Sequence, residues 1–298
     1  MPEAASLVPL APQPDGVPFP GEDWPVGEPP PGVELESLLE EMFHEDGPLR
    51  TTYAVVVVHR GRIVAERYGG EIEHWDRPAE PVTATTQLLS WSMAKSMLHA
   101  VVGMLVDEGS LDLHAPAPVA QWRADGRSDV TLEHLLCMRD GLAFTEDYVD
   151  ARVSDVIEML FGVGADDVAA FAADRLLAVR PGERFNYSSG TTNIVSGIVR
   201  DLVGTGEAYR SFLSERLFRP IGMTSADPRF DSAGTWIASS YVYATARDFA
   251  RFGLLYARDG VWGDRRILPE GWVDHARTMR SRDPENGRLY GAHWWGID

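Results

Sequence analysis

Apolar positions along the chain change period several times, and each change marks a different element. The spacing over residues 33–43 predicts a short amphipathic helix. Residues 53–58 (Tyr-Ala-Val-Val-Val-Val) and 62–68 (Arg-Ile-Val-Ala-Glu-Arg-Tyr) are β-branched runs joined by His59, Arg60 and Gly61, a pattern that predicts an antiparallel hairpin. The first run is almost wholly apolar, so it is expected at the centre of a sheet covered on both faces. After Ser92, the residues Met93, Met97, Val101, Met104 and Leu105 recur at helical spacing, and Gly109 stands where a C-cap belongs. Residues 112–220 read as helix and loop without a strand, with the best helices at 131–136, 168–177 and 192–202. Strand character returns near 235–243, and 245–256 is again an amphipathic helix.

This order predicts two interleaved subdomains, with a helical part inserted into an α/β part and a cleft at their seam. The expected boundaries are an arm at 1–32, a first α/β portion at 33–111, a helical subdomain at 112–230 and a return to the α/β part at 231–298. Residues 1–32 carry Pro12, Pro14, Pro18, Pro20, Pro25, Pro29, Pro30 and Pro31 and neither lysine nor arginine. An extended arm that wraps the body or stays mobile follows from that composition.

Charge narrows the partners. A formal net charge of −18 argues against a nucleic-acid or anionic-membrane partner, since both require a basic face. The single cysteine, Cys137, excludes an internal disulfide and a cysteine-based zinc site, and reads as a buried thiol. No segment approaches the roughly 18 apolar residues of a membrane span. The N-terminus has neither the basic start nor the apolar core of a signal peptide, so a cytoplasmic location is expected.

The strongest chemical signal is a lysine. Of 27 lysines and arginines only Lys95 is a lysine, which leaves 26 arginines. A cation kept as lysine against that background points to a task arginine cannot perform. A buried ammonium can lose its proton and serve as a base, whereas a guanidinium stays charged. Lys95 lies three residues after Ser92, and Ser92, Lys95, Ser96 and His99 share one helix face. A serine hydroxyl needs such a base to become a nucleophile, and a helix N-terminus offers free N–H groups for an oxyanion. The plain alternative is a serine that only caps the helix.

A second block, Pro181-Gly-Glu-Arg-Phe-Asn-Tyr187-Ser188-Ser189, lies about ninety residues downstream of Ser92. Together with Ser92-x-x-Lys95 it resembles the class C β-lactamase-like serine hydrolases, a superfamily that includes family VIII carboxylesterases, D-aminopeptidases and 6-aminohexanoate-dimer hydrolases. Thr131, Leu135, Leu136, Met138, Gly141 and Leu142 support the likeness, as does the 243–253 segment, and it extends from about residue 50 to the end. The resemblance implies an α/β (α+β) fold of the β-lactamase/transpeptidase type: an antiparallel sheet with flanking helices and an inserted all-helical subdomain. It implies Ser92 as acylated nucleophile, Lys95 as base or proton relay, and Tyr187 as the tyrosine that carries the proton to the leaving group. No metal and no organic cofactor are needed.

This chain departs from the family pattern twice. Ser189 stands where a Tyr-x-Asn motif has asparagine, which suits the esterase and nylon-oligomer-hydrolase side. The third motif, Lys-Thr-Gly or His-x-Gly, is absent, because in residues 291–296 two residues separate His293 from Gly296. The chain is therefore expected to be a fragment lacking the C-terminal strands that carry that motif and a second oxyanion donor.

Tyr148 resembles the substrate-side tyrosine of nylon-oligomer-hydrolase-like members, and Trp236 is a candidate at the return to the cleft. Ser189 completes the expected substrate-binding set. His99 is expected to pack on its helix; His44, His59, His74, His114, His134 and His275 show no metal-ligand spacing. The acidic stretches 34–46 and 147–155 read as solvated faces, and the tryptophans as core. The expected activity is hydrolysis of a small ester or amide through acyl-Ser92. A β-lactamase or D-amino-acid peptidase of the same superfamily, or a non-catalytic binding protein on that fold, are the alternatives.

Overall fold

The computed structural model describes residues 7–10, 16–73, 78–150 and 152–296, so His74 lies outside the described residues. The chain opens with α1 (Glu36–Met42), the hairpin β1 (Ala54–His59) and β2 (Arg62–Tyr68), the short strands β3 (Glu71–Ile72), β4 (Glu80–Pro81) and β5 (Leu88–Leu89), and the long helix α2 (Met93–Asp107). Next comes a helical block of α3 (Leu132–Leu136), α4 (Asp155–Phe161), α5 (Val168–Ala173), α6 (Ser189–Val203) and α7 (Glu207–Leu213). The remainder is β6 (Asp227–Pro228), β7 (Val242–Ala244), α8 (Ala246–Ala257), β8 (Val261–Trp262), β9 (Arg265–Arg266), α9 (Trp272–Arg277), β10 (Ser281–Arg282), β11 (Leu289–Tyr290) and β12 (Trp295–Gly296).

Helix α2 is the centre of the molecule. Ala94, Met97, Leu98, Val101, Val102 and Leu105 are all buried, so most of the helix is enclosed by apolar packing, while Lys95 and His99 are buried on a polar face. Gly103 lets Trp272 lie against its backbone, for a Cβ there would sit 2.4 Å from the indole Nε1. Gly109 adopts φ +73°, the left-handed conformation that ends a helix and that glycine enters without strain.

The hairpin forms as its pattern predicts, but β1 is not central. Among the described residues its one partner is β2, and none of its residues is fully buried. One partner strand and the packing of α8 cover it, where a central strand has a neighbour on each edge. Two other boundaries moved for local reasons. Helix α5 stops at Ala173, whose carbonyl accepts Trp122 Nε1 at 2.8 Å and Arg127 Nη1 at 2.9 Å. Helix α6 starts at Ser189, because the Ser188 hydroxyl caps it by accepting the Thr191 N–H at 2.9 Å. Residues 235–241 are a loop, and the strand is confined to β7.

The proline-rich arm wraps the body where it is described. Arg251 donates to the carbonyls of Pro20 and Gly21, Arg258 donates to Pro18, and buried Trp24 donates to Gly61. Arginines thus satisfy carbonyls that proline-rich backbone cannot pair internally.

A buried polar chain crosses behind α2. His99 meets the Tyr256 hydroxyl at 2.9 Å and His275 Nδ1 at 3.0 Å, and His275 Nε2 meets Glu133 at 2.7 Å. Arg280 closes on the other Glu133 oxygen at 2.9 Å. Burial by itself would raise the Glu133 carboxyl, but the bond and charge of His275, with Arg280, outweigh it and hold it at about 2. Its folded value therefore lies below the unfolded one, so its stabilising contribution is present above about pH 4.5 and lost as pH falls toward 2. Urea unfolding should show Glu133→Gln clearly less stable than the wild type at pH 7. That difference should shrink between pH 4.5 and the lowest pH at which both fold; a constant difference would contradict this account. Cys137 is buried beside the same carboxylate, and burial pushes its thiol up, so it stays protonated.

Candidate active site

Strand β5 delivers the chain to α2 through a strained corner. Trp91 has φ +46° and is 61 % exposed, an expensive conformation for a large side chain. Ser92 follows in a helical conformation and its hydroxyl makes no capping bond. The plain alternative of a serine spent on capping does not describe this residue. Its backbone N–H has no acceptor among the described residues and stands at the first turn of α2.

One turn on, Lys95 is 1 % exposed. Its Nζ donates to Ser92 Oγ at 3.2 Å, Ser189 Oγ at 3.3 Å and the Ser239 carbonyl at 2.8 Å. It also lies 4.9 Å from the centre of the Tyr187 ring. The three acceptors come from three places in the chain. Ser239 is presented by the loop before β7, and β7 pairs antiparallel with β5, with Leu89 opposite Tyr243. Ser90 locks that junction: its N–H donates to the Val242 carbonyl at 2.8 Å, and its hydroxyl donates to the Ser240 carbonyl and accepts the Val242 N–H. Asn193 of α6 holds Ser239 through its backbone N–H and its hydroxyl, both at 3.2 Å.

Tyr187 sits between two anchored neighbours. Asn186 donates to the Phe144 carbonyl at 3.1 Å, and Ser188 caps α6. Gly190 permits the close packing behind it, because a Cβ there would meet the Phe144 ring at 2.4 Å. Around the tyrosine stand Trp295, with ring centres 5.2 Å apart, and Tyr290 at 5.9 Å, edge on. Ser189, the first residue of α6, is fully buried. Its hydroxyl and backbone N–H donate to Glu146 at 2.6 and 2.7 Å. Tyr148, 56 % exposed, also donates to Glu146 at 2.6 Å. Burial first, then the Glu146 charge, pushes the Tyr148 hydroxyl up, so it remains a donor.

Ser92, Lys95, Tyr187, Ser189 and Tyr148 thus gather at one place. Trp236 does not join them. It is fully buried, donates to the Tyr241 carbonyl at 3.1 Å and packs edge-on against Tyr209. Its carbonyl accepts the Ser196 hydroxyl at 2.6 Å, which ties the 236–240 loop to α6. The indole fills core behind Ser239 instead of lining the cleft.

Sequence reasoning missed Ser239, Glu146 and Trp295. Ser239 acts through a backbone carbonyl, which no residue type reveals. Glu146 immediately precedes a stretch read as a solvated face, and neither its type nor its spacing set it apart from the other acids. His293, which failed to fit the third motif, lies beneath α2. Its ring contacts the Lys95 carbonyl at 3.1 Å, its N–H donates to Leu136 and its carbonyl accepts Ser96. Burial, helped by the Lys95 charge, lowers this imidazole to about 3, so it is neutral.

A serine, a buried lysine one helical turn on and a tyrosine ring 4.9 Å from the lysine nitrogen form the centre of this cluster. Residues 44–296 match the family model described as Beta-lactamase. The chain belongs to the beta-lactamase family. Among curated proteins it is 29 % identical over 287 residues to 6-aminohexanoate-dimer hydrolase of Paenarthrobacter ureafaciens, covering 88 % of this chain. It spans 66 % of that relative's length, just under two thirds. A Bacillus anthracis protein named for 6-aminohexanoate-dimer hydrolysis superposes with a TM-score of 0.69 at 23 % identity, over 96 % of this chain and 75 % of the other. The D-amino acid amidase of Ochrobactrum anthropi SV3 does so with 0.62 at 16 % identity, over 88 % and 80 %. These likenesses establish the β-lactamase/transpeptidase-like fold. This beta-lactamase-family chain has no helix, among the described residues, long and apolar enough to cross a membrane.

Proposed function

We propose that the protein is a serine hydrolase that cleaves an amide or ester of a small molecule through an acyl-Ser92 intermediate. The observation that carries this reading is the Lys95 nitrogen, buried and held 3.2 Å from the Ser92 hydroxyl by two further acceptors. Ser92 Oγ attacks the substrate carbonyl as its proton passes to the Lys95 amine. The Ser92 backbone N–H, at the first turn of α2, is one donor to the resulting oxyanion. Tyr187, with its ring over Nζ, carries the proton onward to the leaving amine or alcohol as the tetrahedral intermediate collapses. Water then enters, loses its proton through the same groups and releases the acid.

The 29 % identical relative bears a name for hydrolysis of a 6-aminohexanoate dimer, a molecule joined by an amide, and this favours amide over ester as the natural bond. Ser189, in place of the asparagine of a Tyr-x-Asn motif, suits the esterase and nylon-oligomer-hydrolase side of the superfamily and does not by itself choose between the two bonds. Incubation with a fluorophosphonate, followed by intact mass and peptide mapping, tests the reading. One phosphonyl adduct on Ser92 is expected. An unmodified protein, or an adduct elsewhere, would refute it.

A further inference from the structure

Resting on that reading, we propose that Glu146 is a positioning residue: it decides which way the Ser189 hydroxyl points, and thereby keeps the Lys95 lone pair aimed at Ser92. A lysine nitrogen is tetrahedral, and here three directions lead to Ser239 O, Ser189 Oγ and Ser92 Oγ. The Ser239 carbonyl can only accept. A serine hydroxyl can accept or donate, so the direction toward Ser189 is ambiguous until its proton is assigned.

Glu146 assigns it. One carboxylate oxygen takes the Ser189 hydroxyl proton at 2.6 Å and the other takes the Ser189 backbone N–H at 2.7 Å. A carboxylate only accepts, so the Ser189 proton goes to Glu146 and its lone pairs face Lys95. Tyr148 donates to the same carboxylate from the rim, at 2.6 Å, and steadies it. With Lys95 as a neutral amine, its two N–H groups then occupy the Ser239 and Ser189 directions. The lone pair has one direction left, toward the Ser92 hydroxyl. A reversed Ser189 would offer Lys95 a competing proton, and the lone pair would turn away from the nucleophile.

Glu146→Gln tests this with little change of shape. The fixed Ser189 N–H selects the amide oxygen, which sets the amide NH₂ against Ser189 Oγ and turns the hydroxyl proton toward Lys95. The measurement is the rate at which the same fluorophosphonate phosphonylates Ser92, followed by intact mass, in wild type, Glu146→Gln, Ser189→Ala and the double variant. Glu146→Gln should slow the reaction about a hundredfold, within the usual range for a general base, and Ser189→Ala about tenfold. The double variant should react at the Ser189→Ala rate, about tenfold faster than Glu146→Gln, because no hydroxyl remains to be misdirected.

Such rescue separates positioning from a merely structural role, in which losing a second partner only deepens the damage. A double variant as slow as Glu146→Gln, or a Glu146→Gln enzyme at the wild-type rate, would overturn the proposal. Urea unfolding checks that each variant is folded, and Glu146→Ala repeats the comparison should the glutamine variant fail to fold. No adduct on wild type would overturn the hydrolase reading and this one with it. A labelled wild type without rescue would overturn this one alone.

Discussion

Ser92→Ala is expected to abolish phosphonylation and to lower turnover of any ester or amide substrate by at least about 10⁴-fold, the scale seen when a serine hydrolase loses its nucleophile. The fold should survive. Serine at the start of a helix often costs about 1 kcal/mol on truncation because its hydroxyl caps the first turn. Ser92 makes no such bond, and among the described residues its hydroxyl meets only Lys95 Nζ. The unfolding free energy should therefore change by no more than about 0.5 kcal/mol. Residual turnover near the wild-type rate would show that another group carries the acyl chemistry. A large loss of stability would show that Ser92 serves the helix after all.

Lys95→Arg is the sharper test, because it keeps a long side chain with nitrogen donors and removes the capacity to lose a proton. Arginine keeps its proton, so it cannot take one from Ser92 as the proposed mechanism requires. It also replaces a single nitrogen with a planar fork in a site 1 % exposed, where three acceptors converge from α2, α6 and the 236–240 loop. Labelling of Ser92 should fall by about 10³-fold or more, close to the effect of losing the nucleophile, since general-base assistance contributes up to about 10⁴. Overpacking should also cost about 1–3 kcal/mol, measured by urea unfolding. A folded Lys95→Arg variant that is labelled at the wild-type rate would remove Lys95 from the mechanism.

These two residues were legible in the sequence because their relationship is local. Three residues along a helix is nearly one turn, so Ser92 and Lys95 must share a face wherever the helix lies. The apolar run behind them required a buried helix, and burial is what lets a lone lysine act as more than a surface charge. The hairpin, the α6 helix and the turn that presents Tyr187 were readable for the same reason: each follows from the period of side chains or from turn chemistry over a few positions.

What surrounds Lys95 was not readable, since it is assembled across long separations. The Ser239 carbonyl lies 144 residues from Lys95, and being backbone it carries no residue-type signal. Glu146 reaches Ser189 across 43 residues and looked like one more acid in an acidic chain of net charge −18. Trp236 was assigned to the cleft by its place in the chain, yet packing draws it into the core, where a large apolar ring gains most from leaving water. β1 carries a pattern suited to a central strand, but pairing needs a neighbour, and among the described residues only β2 is beside it. Periodicity determined which elements form and which face Ser92 and Lys95 share. Only tertiary packing decided which distant carbonyl, hydroxyl and carboxylate surround Lys95, because those partners meet through folding and not through adjacency.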